Sequence, residues 1–252
     1  MATPPILILD SVDSTNAEAR RRAEAGETGP LWIVARTQTA GRGRRGREWV
    51  SDRGNLFSTL LTTTQKSPAE AAQVTFIAAL AVAEMLDMFA PSPLVTIKWP
   101  NDVMIDDEKV SGILVESGAT AGGLWLAVGV GVNLNHAPVA TERPAAALGG
   151  HLRGDVFAPP SIETAAEVLA EAFETWRARW EGLGFAPVLD AWRSRCRGLD
   201  GPCVARLGHE TIEGTADGVE DDGALRLRLA DGSLRLVSAG DVFFGAANGG
   251  RA

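Results

Sequence analysis

The chain has 252 residues, 45% of them hydrophobic, and a formal net charge of -8. That length buries roughly 70 to 75% of the unfolded surface, enough for one substantial domain and a small one. The acidic balance speaks against a broad nucleic-acid face, and two cysteines with three scattered histidines speak against a disulfide framework or a zinc site and for a reducing, cytoplasmic setting.

Met1 to Leu9 has no basic n-region, so it reads as an opening strand over Ile6 to Leu9 and not as a signal peptide. Thr15-Asn16-Ala17-Glu18 fits a capping box that opens a helix running to about Ala25, where Gly26 stops it. Strands are expected over Leu31 to Arg36 and Asn55 to Leu61. Ser67-Pro68-Ala69-Glu70 combines a cap, an N-terminal proline and an acidic third residue. Behind it, Val74, Ile77, Ala81, Met85 and Phe89 recur at helical spacing until Pro91. No segment is expected to reach the roughly 18 apolar residues of a membrane helix.

Strand-like runs follow at Leu94 to Trp99, Val103 to Ile105, Val110 to Glu116 and Leu124 to Leu134. Such close spacing favours an α+β fold whose mixed sheet is largely antiparallel. Ala137 to Pro160 reads as a long surface connection, Ile162 to about Gly182 as an amphipathic helix and Pro187 to Arg197 as another. After Gly198, Asp217-Gly218, Asp222-Gly223 and Asp231-Gly232 punctuate short runs as hairpin turns do, which places a domain boundary there: residues 1–197 and residues 198–252, the second a small barrel.

Four constellations carry chemistry. Gln38 to Trp49 holds Arg42, Arg44, Arg45 and Arg47 among Gly41, Gly43 and Gly46, a cationic loop inside an acidic chain. It lacks the ending of a Walker A loop, and its readings are an anion grip, a solvated loop or an RNA-binding tract. Arginine repulsion and glycine entropy predict a loop that orders only on an anion. In Lys98-Trp99-Pro100-Asn101-Asp102, an ammonium, an amide and a carboxylate meet at a strand end, able to hold a metal-bound phosphate, orient an amine or merely cap a turn. Unbroken alternation along Lys109 to Glu116 aligns Lys109 and Ser111 with Ile113 and Val115, leaning over a pocket or snorkelling at an edge. Gly129, Gly131 and Asn133 share one strand face, which suits a flat ring against backbone or a crossing helix.

Ser14-Thr15-Asn16 after Asp13, Gln38 with GRGRRGREW, KWPNDV, KVSGILVE and GVGVN stand in one order, and in this the chain resembles the biotin protein ligases over nearly its whole length. The resemblance implies a class II synthetase-like catalytic domain with an SH3-like C-terminal domain. It also implies a two-step reaction in which biotin and ATP give biotinyl-5'-adenylate and a lysine of a biotin carboxyl carrier domain, of acetyl-CoA carboxylase or similar, then takes the biotin. Around biotin it would place Ser14, Thr15, Asn16, Gln38, Arg42, Gly43, Arg44, Lys109 and Gly112. Around ATP and the adenylate it would place Arg44, Lys98, Asn101, Asp102, Gly129, Gly131 and Asn133, with Trp49 as a lid. Arg44, Lys109 and Asp102 would be catalytic, and Asp102 would touch the magnesium that accompanies ATP. A lipoate-type ligase of the same fold is the alternative, against which the intact arginine loop speaks. Repressor-type members carry an N-terminal DNA-binding domain, whereas here the pattern begins at Asp13, so DNA binding by that route is not expected. No membrane contact is expected, and a homodimer is left open.

Overall fold

The computed structural model describes residues 3–139, 144–208 and 210–245, so part of the expected 137–160 connection, residues 140–143, lies outside the described residues. The first sheet is built from β1 (Ile6–Leu9), β2 (Leu31–Ala35), β3 (Leu56–Thr64), β4 (Val95–Lys98), β5 (Asp102–Ile105), β6 (Glu108–Thr120) and β7 (Gly123–Val132). Its order is β1-β2-β3-β7-β6-β5-β4, with β1 and β2 parallel and every other pair antiparallel. This is the α+β arrangement expected from the strand spacing.

Alternation along the strands gives the sheet two faces. Val128, Val130 and Val132 join the main core, where α3 (Val74–Asp87), α4 (Ile162–Leu183) and α5 (Ala186–Arg195) pack. Trp32 meets Phe173 of α4 edge to face at 5.6 Å, and Phe76 of α3 meets Trp192 of α5 at 5.0 Å. Each such fully buried side chain stabilises the fold by about 1.5 to 3 kcal/mol over an exposed one. The opposite face carries α1 (Thr15–Glu24) and is otherwise open to the cleft described below.

The Ser67 capping box forms, its hydroxyl accepting from Glu70 N–H while the Glu70 carboxylate accepts from Ser67 N–H. It opens α2 (Pro68–Ala72), which leads through Gln73 into α3. By length and composition alone Pro68–Asp87 could cross a membrane, contrary to expectation, at a mean hydropathy of 1.5. Its apolar residues are instead spent on the core: 67% of its 18-residue apolar window is buried inside the fold. The capping box expected at Thr15 is absent. Ser14 is the cap residue and makes no side-chain cap bond, while Thr15 is the first helical residue and turns its hydroxyl to Gln38 and Thr59.

The second sheet comprises β8 (Pro202–Arg206), β9 (Thr211–Val219), β10 (Leu225–Arg228), β11 (Leu234–Val237) and β12 (Asp241–Phe244), all antiparallel in the order β11-β10-β9-β8-β12. This is the small SH3-like unit expected. Asp222-Gly223 and Asp231-Gly232 make its turns, but Asp217-Gly218 does not. Gly218, at φ +108°, lies inside β9, where the register with β10 shifts, so it marks a bulge. The β9–β10 turn docks on the first unit: the Trp99 indole N–H donates to the Gly223 carbonyl at 2.9 Å.

Candidate active site

Antiparallel register decides which side chains share the open face, because directly paired residues project to the same side. One row runs Lys98, Asp102, Gly112, Gly131, Phe57 across five strands. The next runs Leu114, Gly129, Thr59. The row thus has charge at one end, an aromatic ring at the other and a glycine floor between. Above it lies a cleft of about 360 Å³, and every residue that the family resemblance placed around biotin or ATP, from Ser14 to Asn133, lines it.

Lys109 reaches this face for a reason that simple alternation misses. The β5–β6 register runs Val103↔Ser111 and then Met104↔Lys109, so Val110 is a bulged residue and the parity of the strand flips there. Lys109 therefore sits with Gly112 on the cleft side, whereas Ser111 and Ile113, expected beside it, are buried. Its ammonium lies 2.5 Å from Asp102 Oδ1 and 5.6 Å from the centre of the Trp49 ring.

The turn after β4 fixes the polar end. Lys98 Nζ lies 3.2 Å from Asp102 Oδ2, and the Asn101 amide donates to the Ile113 carbonyl while its oxygen accepts from Arg44 at 2.9 Å. Burial works against ionisation of Asp102, but the Lys109 and Lys98 ammoniums outweigh it and hold the carboxyl at about 2. Asp102 is an anion throughout the neutral range. Burial also pulls the Arg44 guanidinium below its ordinary value, opposed by Asp241 and Asp102.

At the other end the side chains freed from capping make a hydrogen-bonded floor. Gln38 Oε1 accepts from Thr15 N–H at 2.8 Å, the Thr15 and Thr59 hydroxyls lie 2.8 Å apart, and Thr59 donates to Asn16 Oδ1 at 2.7 Å. Asn16 rests on Gly129: a Cβ there would stand 2.1 Å from Asn16 Oδ1. Gly131 carries the Trp49 indole in the same way, with 2.5 Å left for a Cβ. The glycines thus receive both a crossing helix end and a flat ring. Asn133, also buried, gives its amide to the Ala146 carbonyl at 3.1 Å.

The arginine loop, residues 41–49, is a flap closed by an Arg42↔Glu48 bridge around a tight turn at Arg44–Gly46, where Arg45 takes a left-handed φ of +56°. Only glycine fits at 41, where a Cβ would lie 2.3 Å from Ser51 Oγ and 2.4 Å from the Trp49 carbonyl. The protein itself supplies carboxylates to this flap. Arg42 pairs with Glu116 at 3.2 Å, and Arg45 and Arg47 share Asp241 at 3.4 and 2.8 Å. Arg44 also donates to the Gly240 carbonyl at 3.0 Å. Asp241 has no signature in the sequence, and Glu116, although it ends the KVSGILVE motif, received no role there; their pairing across the fold reveals what they do.

The arrangement can seat an apolar, hydrogen-bonding ring at the Asn16 end and concentrate positive charge on an anion at the Lys109 end. It does not build a protein-held metal site. Among the described residues no three His, Cys, Asp or Glu side chains converge, and both Asp102 oxygens already meet ammoniums.

Comparison with known proteins bears on the family. The profile of the biotin/lipoate A/B protein ligase family matches residues 8–135, and that of the biotin protein ligase C-terminal domain matches residues 199–245. The chain is 42% identical over 241 residues to a biotin–acetyl-CoA-carboxylase ligase of Paracoccus denitrificans, covering 94% of this chain and 100% of that protein. It is 30% identical to the bifunctional ligase/repressor BirA of Escherichia coli, covering 94% of this chain and 73% of that one. Among solved structures, the biotin protein ligase of Aquifex aeolicus in complex with biotin and ATP superposes with a TM-score of 0.79 at 23% identity, covering 96% of this chain and 99% of that chain, a likeness of fold. With both family models matched and a relative 42% identical along its full length, this chain belongs to the biotin protein ligase family.

Proposed function

We propose that the chain joins biotin to ATP as biotinyl-5'-adenylate and passes the biotin to a lysine of a biotin carboxyl carrier domain. In this reading residues 1–197 form the catalytic domain and residues 198–252 the SH3-like C-terminal domain. The observation that carries it is the pairing, in one cleft, of a neutral hydrogen-bonding floor with a cationic end where Lys109, Lys98 and Arg44 converge on Asp102 and Asn101.

Biotin's ring would lie against Ser14, Thr15, Asn16 and Gln38, with its carboxylate toward Arg42, Gly43, Gly112 and Lys109. ATP would lie along Gly129, Gly131 and Asn133 under Trp49. In the first step a carboxylate oxygen bonds to the α-phosphorus and the bond to the bridging oxygen breaks, releasing pyrophosphate. Lys109 and Arg44 offset the charge that builds on the phosphoryl oxygens. In the second step the carrier amine bonds to the acyl carbon, AMP leaves, and the amine loses a proton. Asp102, held at about 2, is too weak a base to store that proton near neutral pH; it lines up Lys98 and Lys109 and faces an incoming ammonium with negative charge. Magnesium would arrive with the phosphates of ATP, as such ions usually do, and Asp102 is the carboxylate that would face it at the Lys98 and Lys109 end of the cleft. The two free thiols support a reducing, cytoplasmic setting.

Exchange of labelled pyrophosphate into ATP tests the first step. Biotin should drive it and lipoate should not. Exchange driven by lipoate alone would favour the other branch of the family, and none with either acid would end the reading.

A further inference from the structure

We propose that Glu116 is the positioning residue that couples the flap to the ring-binding floor, setting which way the Asn16 amide points and holding the Arg42 end of the flap over it. The inference rests on reading the cleft as a biotin and ATP site.

Asn16 Nδ2 has two hydrogens, and both are engaged, one by the Leu114 carbonyl at 3.2 Å and one by Glu116 Oε2 at 2.8 Å. A carbonyl and a carboxylate only accept, so they fix the amide in one orientation. Oδ1 is then turned to Thr59 and Gly129, with a lone pair left for a ligand N–H. Arg42 Nη2 reaches the same carboxylate, at 3.3 Å from Oε1 and 3.2 Å from Oε2. Glu116 is therefore a single anion that serves one residue of the floor and one of the flap.

The connection continues to the flap's other end. From Asn16 it passes through Thr59, Thr15 and Gln38; Gln38 Nε2 then donates to Ser51 Oγ at 2.9 Å, and Ser51 Oγ donates to the Trp49 carbonyl at 2.7 Å. Both ends of the flap are thus tied to the residues that would hold the ring, and a ligand that tightens the floor tightens the flap. Of these ties only the one at Glu116 is ionic, and such charge-assisted bonds are the strong ones.

Glu116→Gln tests this with little change of shape. Its amide could face Asn16 or Arg42 with a donor, so the Asn16 orientation is no longer unique. We expect the KM for biotin to rise about tenfold while the KM for ATP stays within about twofold, the split that separates positioning from general damage. Hydrogen exchange over residues 41–49 should become faster in the free variant, at an unchanged Tm. Glu116→Asp, charged but shorter, should recover part of the biotin KM. An unchanged biotin KM with unchanged exchange in the flap would overturn the proposal, as would equal rises in both KM values with a lowered Tm. If the unaltered protein shows no biotin-dependent exchange, the functional reading has failed instead, and the hydrogen exchange of free Glu116→Gln still decides the coupling.

Discussion

Asp102→Asn removes the charge at the centre of the cleft while keeping its shape. The carboxylate meets Lys109 Nζ at 2.5 Å and Lys98 Nζ at 3.2 Å, and it titrates at about 2 where an ordinary aspartate titrates at 3.8. A depression of that size corresponds to about 2 kcal/mol of stability. Because the folded value is the lower one, this contribution is fully present above pH 3.8 and is lost as pH falls toward 2. Stranding a buried charge costs about 3 to 5 kcal/mol, an upper limit here because Lys109 keeps 28% of its side chain in contact with solvent. Urea unfolding should therefore find the variant about 2 to 3 kcal/mol less stable at pH 7, with the gap narrowing by about 1 kcal/mol at pH 3. A gap that ignores pH, or one below about 0.5 kcal/mol at pH 7, would refute the assignment of Asp102 as counter-ion to both lysines.

Arg44→Ala and Lys109→Ala should each lose about 2.7 to 4 kcal/mol of transition-state stabilisation in biotin-dependent pyrophosphate exchange, and near-normal rates would remove their roles. Gly129→Ala would put a methyl 2.1 Å from Asn16 Oδ1, so Asn16 must leave its place. Overpacking of this kind costs about 1 to 3 kcal/mol, and calorimetry should show weakened biotin binding; unchanged affinity would mean that Asn16 does not meet the ring. Burial pushes the Cys196 thiol up to about 12 and Cys203 to about 11, so both should react with a disulfide reagent at pH 8 far more slowly than free cysteine. Rapid labelling of the native protein would contradict that burial.

Much of the fold is legible in the chain because local rules and packing agree. Ser67 with Glu70 forms the box its spacing announces, and the valines of GVGVN enter the core while its glycines face the cleft. Where the reading fails, a neighbour distant in sequence has overruled a local signal. Thr15 forgoes capping to bond Gln38 and Thr59, and a bulge at Val110 reverses the side on which Lys109 projects. Asp217-Gly218, a hairpin signal on its own, is absorbed into β9 as another bulge. The flap shows the same limit. Its arginines are plain in the sequence, but the carboxylates they meet, Glu116 and Asp241, stand 74 and 194 residues from their partners Arg42 and Arg47. No window of sequence contains both members of either pair.

Acyl transfer itself is the most direct test of the account. A purified biotin carboxyl carrier domain, incubated with the protein, biotin and magnesium–ATP, should gain the mass of one biotinyl group, located by fragmentation on a single lysine. It should remain unmodified when ATP is left out. A carrier domain that stays unmodified while biotin and ATP are both present would contradict the central claim.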